Sequence, residues 1–126
     1  PLHHTWAGLT FELVCYMHDQ QIKQTLGISG ILCSKKTWRN PAAQVDMVFE
    51  RGDGVLQLFE IKHTGTPFIL DDTEKTKIER RKKELLSEYK TSPTLMTTLI
   101  SAAGVKGSLK GDTIQNVISL DDLFCL

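Results

Sequence analysis

The chain has 126 residues, of which 40% are hydrophobic and 24% charged, with 15 Lys and Arg balancing 15 Asp and Glu. This length fits one domain around one core, and the composition excludes disordered and fibrous classes. Zero net charge gives no global field toward nucleic acid, so any basic surface must be local.

Over residues 6–26 the apolar side chains Leu9, Phe11, Leu13, Val14, Cys15, Tyr16, Met17, Ile22 and Leu26 recur at helical spacing, which predicts one long, largely buried helix. Thr5 suits its N-cap, and Gly27 suits the left-handed position just past its end. Apolar runs rich in β-branched and aromatic residues at 28–36, 44–50 and 55–63 predict three strands. Gly52-Asp53-Gly54 between the second and third signals a hairpin. A second helix is predicted over 73–90, with Ile78, Leu85, Leu86 and Tyr89 as its apolar stripe. Two further strands follow at 94–101 and 115–120, then a closing helical turn at 120–124. The order α, β, β, β, α, β, β implies a mixed sheet flanked by helices, with the antiparallel pairing early in the chain.

Cys15, Cys33 and Cys125 are odd in number and form no CxxC pair, which argues against a disulfide framework or a cysteine zinc site and fits a reducing cytoplasm. No apolar run approaches the roughly 20 residues needed to cross a bilayer, so no membrane partner is expected.

The hairpin carries the candidate chemistry. With Gly52-Asp53-Gly54 as a three-residue loop, Arg51 faces Val55, Val48 faces Leu58 and Asp46 faces Glu60. Two carboxylates placed so repel unless a cation lies between them. Lys62 shares the parity of Glu60 and lies one pleat further along. A two-residue turn at Asp53-Gly54 would slip the register and send Asp46 to the other face. The longer loop is preferred, because its last residue needs the left-handed conformation that Gly54 supplies. Glu12 sits on a helical face with Leu9, Cys15 and Tyr16, so it is directed inward, either as a satisfied core acid or as part of a site.

A helical Glu12, a strand Asp46 and Glu60-Ile61-Lys62 on the next strand resemble the PD-(D/E)XK nuclease superfamily. Trp6-Ala7-Gly8, Phe11-Glu12, Gln44-Val45-Asp46 and Leu120-Asp121-Asp122-Leu123-Phe124 make the chain similar to the C-terminal domain of a group of prokaryotic AAA-type ATPases. Val45 stands where the superfamily pattern has proline, and the second helix lacks Q-x-x-x-Y. The resemblance implies an α/β, restriction-endonuclease-like fold with an αβββαβ core, as a single domain over 1–126. It also implies that the chain is the C-terminal part of a larger cytoplasmic protein, with its ATPase module upstream. No GxxxxGK[ST] occurs here, so no P-loop is expected.

The resemblance further implies Mg²⁺, or Mn²⁺ in its place, held by Asp46, Glu60 and the backbone carbonyl of Ile61. Glu12 would ligate a second ion or position a water, and Lys62 would orient the attacking water. The implied reaction is phosphodiester hydrolysis of nucleic acid, DNA being the expected class, with a second copy of the chain as a candidate partner. The alternative is a catalytically silent module of this fold that binds nucleic acid or protein, or regulates the ATPase. Lys75, Lys77, Arg80 and Arg81 on the second helix offer a phosphate-tracking surface, although a solvated helix stitched by neighbours such as Glu79 and Lys83 is the favoured reading. His3, His4, His18 and His63 have no ligand cluster in sequence, Trp6 and Trp38 read as packing residues, and Cys15 reads as a small core residue rather than a nucleophile.

Overall fold

Helical periodicity at the start of the chain produces two segments where one was expected. The computed structural model describes residues 11–109 and 111–124; helix α1 covers 11–17 and α2 covers Asp19–Leu26. The break falls at His18. Its ring Nδ1 takes up the Val14 carbonyl at 2.7 Å, and its backbone N–H is shared between the Val14 and Cys15 carbonyls at 3.0 and 3.2 Å. The residue lies at φ −102°, ψ 34°, off helical geometry. Gly27 caps α2 at φ 73°, as its sequence position implies. Thr5, Trp6-Ala7-Gly8, Leu9, His3, His4 and Cys125 lie outside the described residues.

Strands β1 (Cys33–Arg39), β2 (Gln44–Arg51) and β3 (Val55–Lys62) precede helix α3 (Asp72–Leu86), strands β4 (Thr94–Ser101) and β5 (Asn116–Ser119), and helix α4 (Leu120–Phe124). The first strand starts five residues later than its apolar run, because Ile28 is spent on a turn whose carbonyl accepts from Ile31 N–H at 2.9 Å. Its side chain joins the core instead. Asp71 caps α3 by accepting from Glu74 N–H at 2.8 Å. That helix stops short of residue 90, its end tightening into turns closed by Glu88 N–H to Leu85 and Tyr89 N–H to Leu86.

The five strands form one sheet in the order β1-β2-β3-β4-β5, antiparallel from β1 to β3 and parallel from β3 to β5. The architecture is therefore mixed α/β with helices on the sheet. On one face Met47, Phe49, Phe59, Ile61, Ile100 and Ile118 pack against Phe11, Cys15 and Ile22 of the first two helices. On the other face, Val48, Leu56 and Leu58 meet Leu85 of α3, and Leu99 meets its Ile78.

Val48 pairs with Leu58 and Glu50 with Leu56, the register of the three-residue loop. Gly54 takes φ +83° at its end, with open space where a side chain would sit. Gly54→Ala should therefore cost about 1–2 kcal/mol through backbone strain alone, and chemical denaturation showing no loss would contradict this account of the turn.

Candidate functional site

Between β1 and β2 the pairing is in step from Cys33↔Arg51 to Lys36↔Val48, then shifts to Trp38↔Val45. Two residues of β2, Asp46 and Met47, therefore stand against the single Thr37, which is a bulge. On its other side β2 stays paired with β3 only as far as Met47↔Phe59. Asp46 is thus the first residue beyond that ladder, and the direct pairing with Glu60 expected from the hairpin is replaced by a bulged position. From Glu60 to Lys62, β3 continues to be held by β4, in the pairs Glu60↔Leu99 to Lys62↔Ser101. The sheet opens between β2 and β3 where the acids lie, and Ile61 belongs to this stretch. Alternation gave no warning of the bulge, whose only sequence trace is the polar pair Gln44 and Asp46 flanking buried Val45.

The bulge brings Asp46 to the first helix. Asp46 and Thr37 line a cavity of about 430 Å³ with Glu12, Leu13 and Tyr16. Burial lifts the Glu12 carboxyl above its ordinary range, and the negative charge of Asp46 adds to the rise. Asp46 also bears on Glu60, which is only 6% exposed. There burial pushes the carboxyl up, Arg81 and Lys62 oppose that rise, and Asp46 reinforces it. Asp46 therefore lies within the field of both other acids, with its own Oδ1 accepting from Gln44 Nε2 at 3.2 Å.

The remaining partners come from α3. Glu60 Oε2 accepts from Arg81 at 2.8 Å, whereas Glu60 Oε1 is buried without a hydrogen-bond partner. Lys62 Nζ donates to Glu74 Oε2 at 3.2 Å, with the Phe68 ring 5.8 Å from its ammonium. Neither α3 partner was foreseen. The signal was nonetheless present, since Glu74, Ile78, Arg81 and Leu85 recur at helical spacing and Ile78 and Leu85 are the helix's core residues.

Among the described residues, no three His, Cys, Asp or Glu side chains converge in a group able to hold a metal ion. The donor chemistry still suits a hard cation, which prefers carboxylate and carbonyl oxygen. Glu60 offers a buried oxygen with no partner; burial is the main cause that raises Glu12 and Glu60, and a positive charge beside Asp46 would offset the smaller part that its negative charge adds.

The raised Glu60 carboxyl makes a pH prediction. Its protonated form is the one favoured by folding, so its contribution is fully present below the ordinary value of 4.5 and is lost as pH rises through the raised folded value. Glu60→Gln should flatten the dependence of folding stability on pH above about 4.5. Denaturation curves for the two proteins that stay parallel across that range would refute it.

Lys77, Arg80 and Arg81 of α3 line a second cleft with Ala42, Ala43 and Gln44, while Lys75 is exposed and does not line it. His63 is exposed and its ring lies 5.5 Å from that of Phe11, on the face opposite Lys62. Trp38 packs beside Val45 and Leu85. Cys15 is fully buried, and burial together with Glu12 pushes its thiol up to about 12, which leaves it a core residue rather than a nucleophile. Among the described residues no helix is long and apolar enough to cross a membrane.

No protein-family model matches the chain, and no curated protein matches it significantly. A crystal structure of a protein of unknown function, AF1548, is similar to it with a TM-score of 0.53 at 15% sequence identity. The match covers 84% of this chain and 58% of that one, so the chain spans less than two thirds of that structure. What the two share is the mixed α/β fold.

Proposed function

We propose that the chain is a metal-dependent phosphodiesterase acting on nucleic acid, DNA being the expected class, with a PD-(D/E)XK arrangement of its site residues. The observation that carries this reading is the cavity that Asp46 shares with Glu12, together with the charge of Asp46 acting on the buried Glu60, one of whose oxygens has no hydrogen-bond partner. Burying a carboxylate among like charges is costly, and such perturbed groups concentrate at functional sites.

Asp46 and Glu60 would hold Mg²⁺ or Mn²⁺, with the Ile61 carbonyl as the third donor; the ion supplies charge neutralisation at the phosphate and an acidified water. Lys62, on the pleat next to Glu60 and paired with Glu74, would donate to the attacking water or to a phosphate oxygen after leaving Glu74. Glu12 closes the site from the first helix, orienting a water or a second ion. Attachment to an upstream ATPase belongs to the same proposal and rests on the motif resemblance.

A second reading, a silent module that binds without cleaving, is favoured by the two ion pairs already neutralising Glu60 and Lys62. Calorimetric titration with Mn²⁺, followed by assays on single-stranded, duplex and branched DNA, separates them. Binding with cleavage is expected; metal or DNA binding without any cleavage would assign the silent role.

A further inference from the structure

The loop before β2 and the adjacent face of α3 enclose a cleft of about 330 Å³ lined by Ala42, Ala43, Gln44, Lys77, Arg80 and Arg81. Lys77, Arg80 and Arg81 stand at i, i+3 and i+4, so all three project from neighbouring positions on one helical face. Among the described residues no carboxylate lines the cleft. Of the acids around it, Glu60 is ion-paired with Arg81, whereas Glu84 and Asp46 accept from the neutral amides of Asn40 and Gln44. Lys77 and Arg80 are exposed and form no ion pair among the described residues. Asn40 fixes the opposite rim, its Oδ1 accepting from the backbone N–H of Ala42 and Ala43 at 2.8 and 2.7 Å, and the two alanine side chains leave the space open.

Two cations without a counter-ion among the described residues, Lys77 and Arg80, beside the Glu60-paired Arg81 in a small cleft call for a compact anion. Arg81 belongs both to this cleft and to Glu60, so the anion would sit directly beside the acid site. A guanidinium binds phosphate with the same planar fork that it offers to a carboxylate. We propose that the cleft seats a backbone phosphate of a nucleic acid, and that Arg81 exchanges Glu60 for that phosphate when the strand binds. The phosphate seat stands by itself, whereas the exchange rests on the nuclease reading. Its consequence is coupling: the incoming strand removes the internal counter-ion of Glu60, leaving both its oxygens available to a cation only when substrate is present.

Two measurements on the whole chain test this. The first is fluorescence anisotropy of a fluorescein-labelled DNA oligonucleotide in EDTA, where no cleavage intervenes. Lys77→Glu and Arg80→Glu should each weaken binding at least about tenfold and lower the salt dependence by roughly one counterion per lost phosphate contact. Both residues are exposed, and thermal melts of the variants establish that they fold. Unchanged affinity overturns the seat, as does equal competition by a polyglutamate peptide, which would make the cleft a site for an acidic protein instead.

The second is Mn²⁺ calorimetry with and without an uncleavable phosphorothioate oligonucleotide. The wild type should bind Mn²⁺ at least about fivefold more tightly with the oligonucleotide, within the usual range of coupling between sites. Arg81→Gln should bind it tightly in both conditions, with Arg81→Lys between the two. Equal wild-type affinities overturn the exchange. Oligonucleotide binding with no Mn²⁺ binding at all retires both the exchange and the metal reading while leaving the seat in place.

Discussion

Asp46→Ala and Lys62→Ala are each expected to lower metal-dependent cleavage of DNA by about 10²–10³-fold, the usual cost of removing one group that stabilises developing charge. The two losses should differ in kind. Asp46 is the carboxylate whose charge acts on both Glu12 and Glu60, and in the proposed site it holds the metal, so its removal should also abolish the calorimetric signal of Mn²⁺. Lys62 is tied to Glu74 and carries no metal-binding role, so its replacement should leave Mn²⁺ affinity within about twofold, well below 1 kcal/mol. Single-turnover cleavage beside Mn²⁺ titration reads both effects. Full activity in the double variant, in a preparation shown free of contaminating nuclease, would dispose of the catalytic assignment. Loss of metal affinity in Lys62→Ala would instead make the lysine a structural support of the acid cluster.

The largest expected effect on stability lies in the core. Phe59→Ala should cost about 3–5 kcal/mol, the range for truncating a buried aromatic. Phe59 is 1% exposed and meets the Phe49 ring edge-on, with centroids 4.7 Å apart. That contact runs diagonally across β2 and β3 at the end of their ladder, where Phe59 pairs with the bulge residue Met47. Since small domains have total stabilities of about 5–15 kcal/mol, the variant should unfold at a markedly lower urea concentration. A loss below about 1 kcal/mol would mean that neighbouring side chains refill the cavity.

Much of this architecture was legible in the sequence because its signals were local. The apolar runs at β2, β3 and β4 and the Gly52-Asp53-Gly54 turn located those strands and the hairpin register within a residue or so. The break at His18 was hidden because apolar periodicity runs through it unbroken and does not register a single residue leaving helical geometry. For the candidate site, the sequence offered residue types and only part of the geometry. Glu12, Asp46, Glu60 and Lys62 could be named from pattern, but strict alternation cannot express a bulge, which is why Asp46 sits beyond the ladder rather than opposite Glu60. Long-range partners such as Arg81 and Glu74 depend on how α3 docks, 12 to 21 residues away in the chain from the groups they hold.

The strand order places β1 and β5 at the two margins of the sheet. An open margin is a template on which another chain can add a strand, and long, flat, apolar margins invite fibrous association. Here β1 carries Lys35 and Lys36 and is thrown out of step beside Thr37, while β5 offers only four residues before the chain turns into α4. Both margins are poor templates. A second copy of this chain would have to be recognised through side-chain surfaces rather than by extending the sheet.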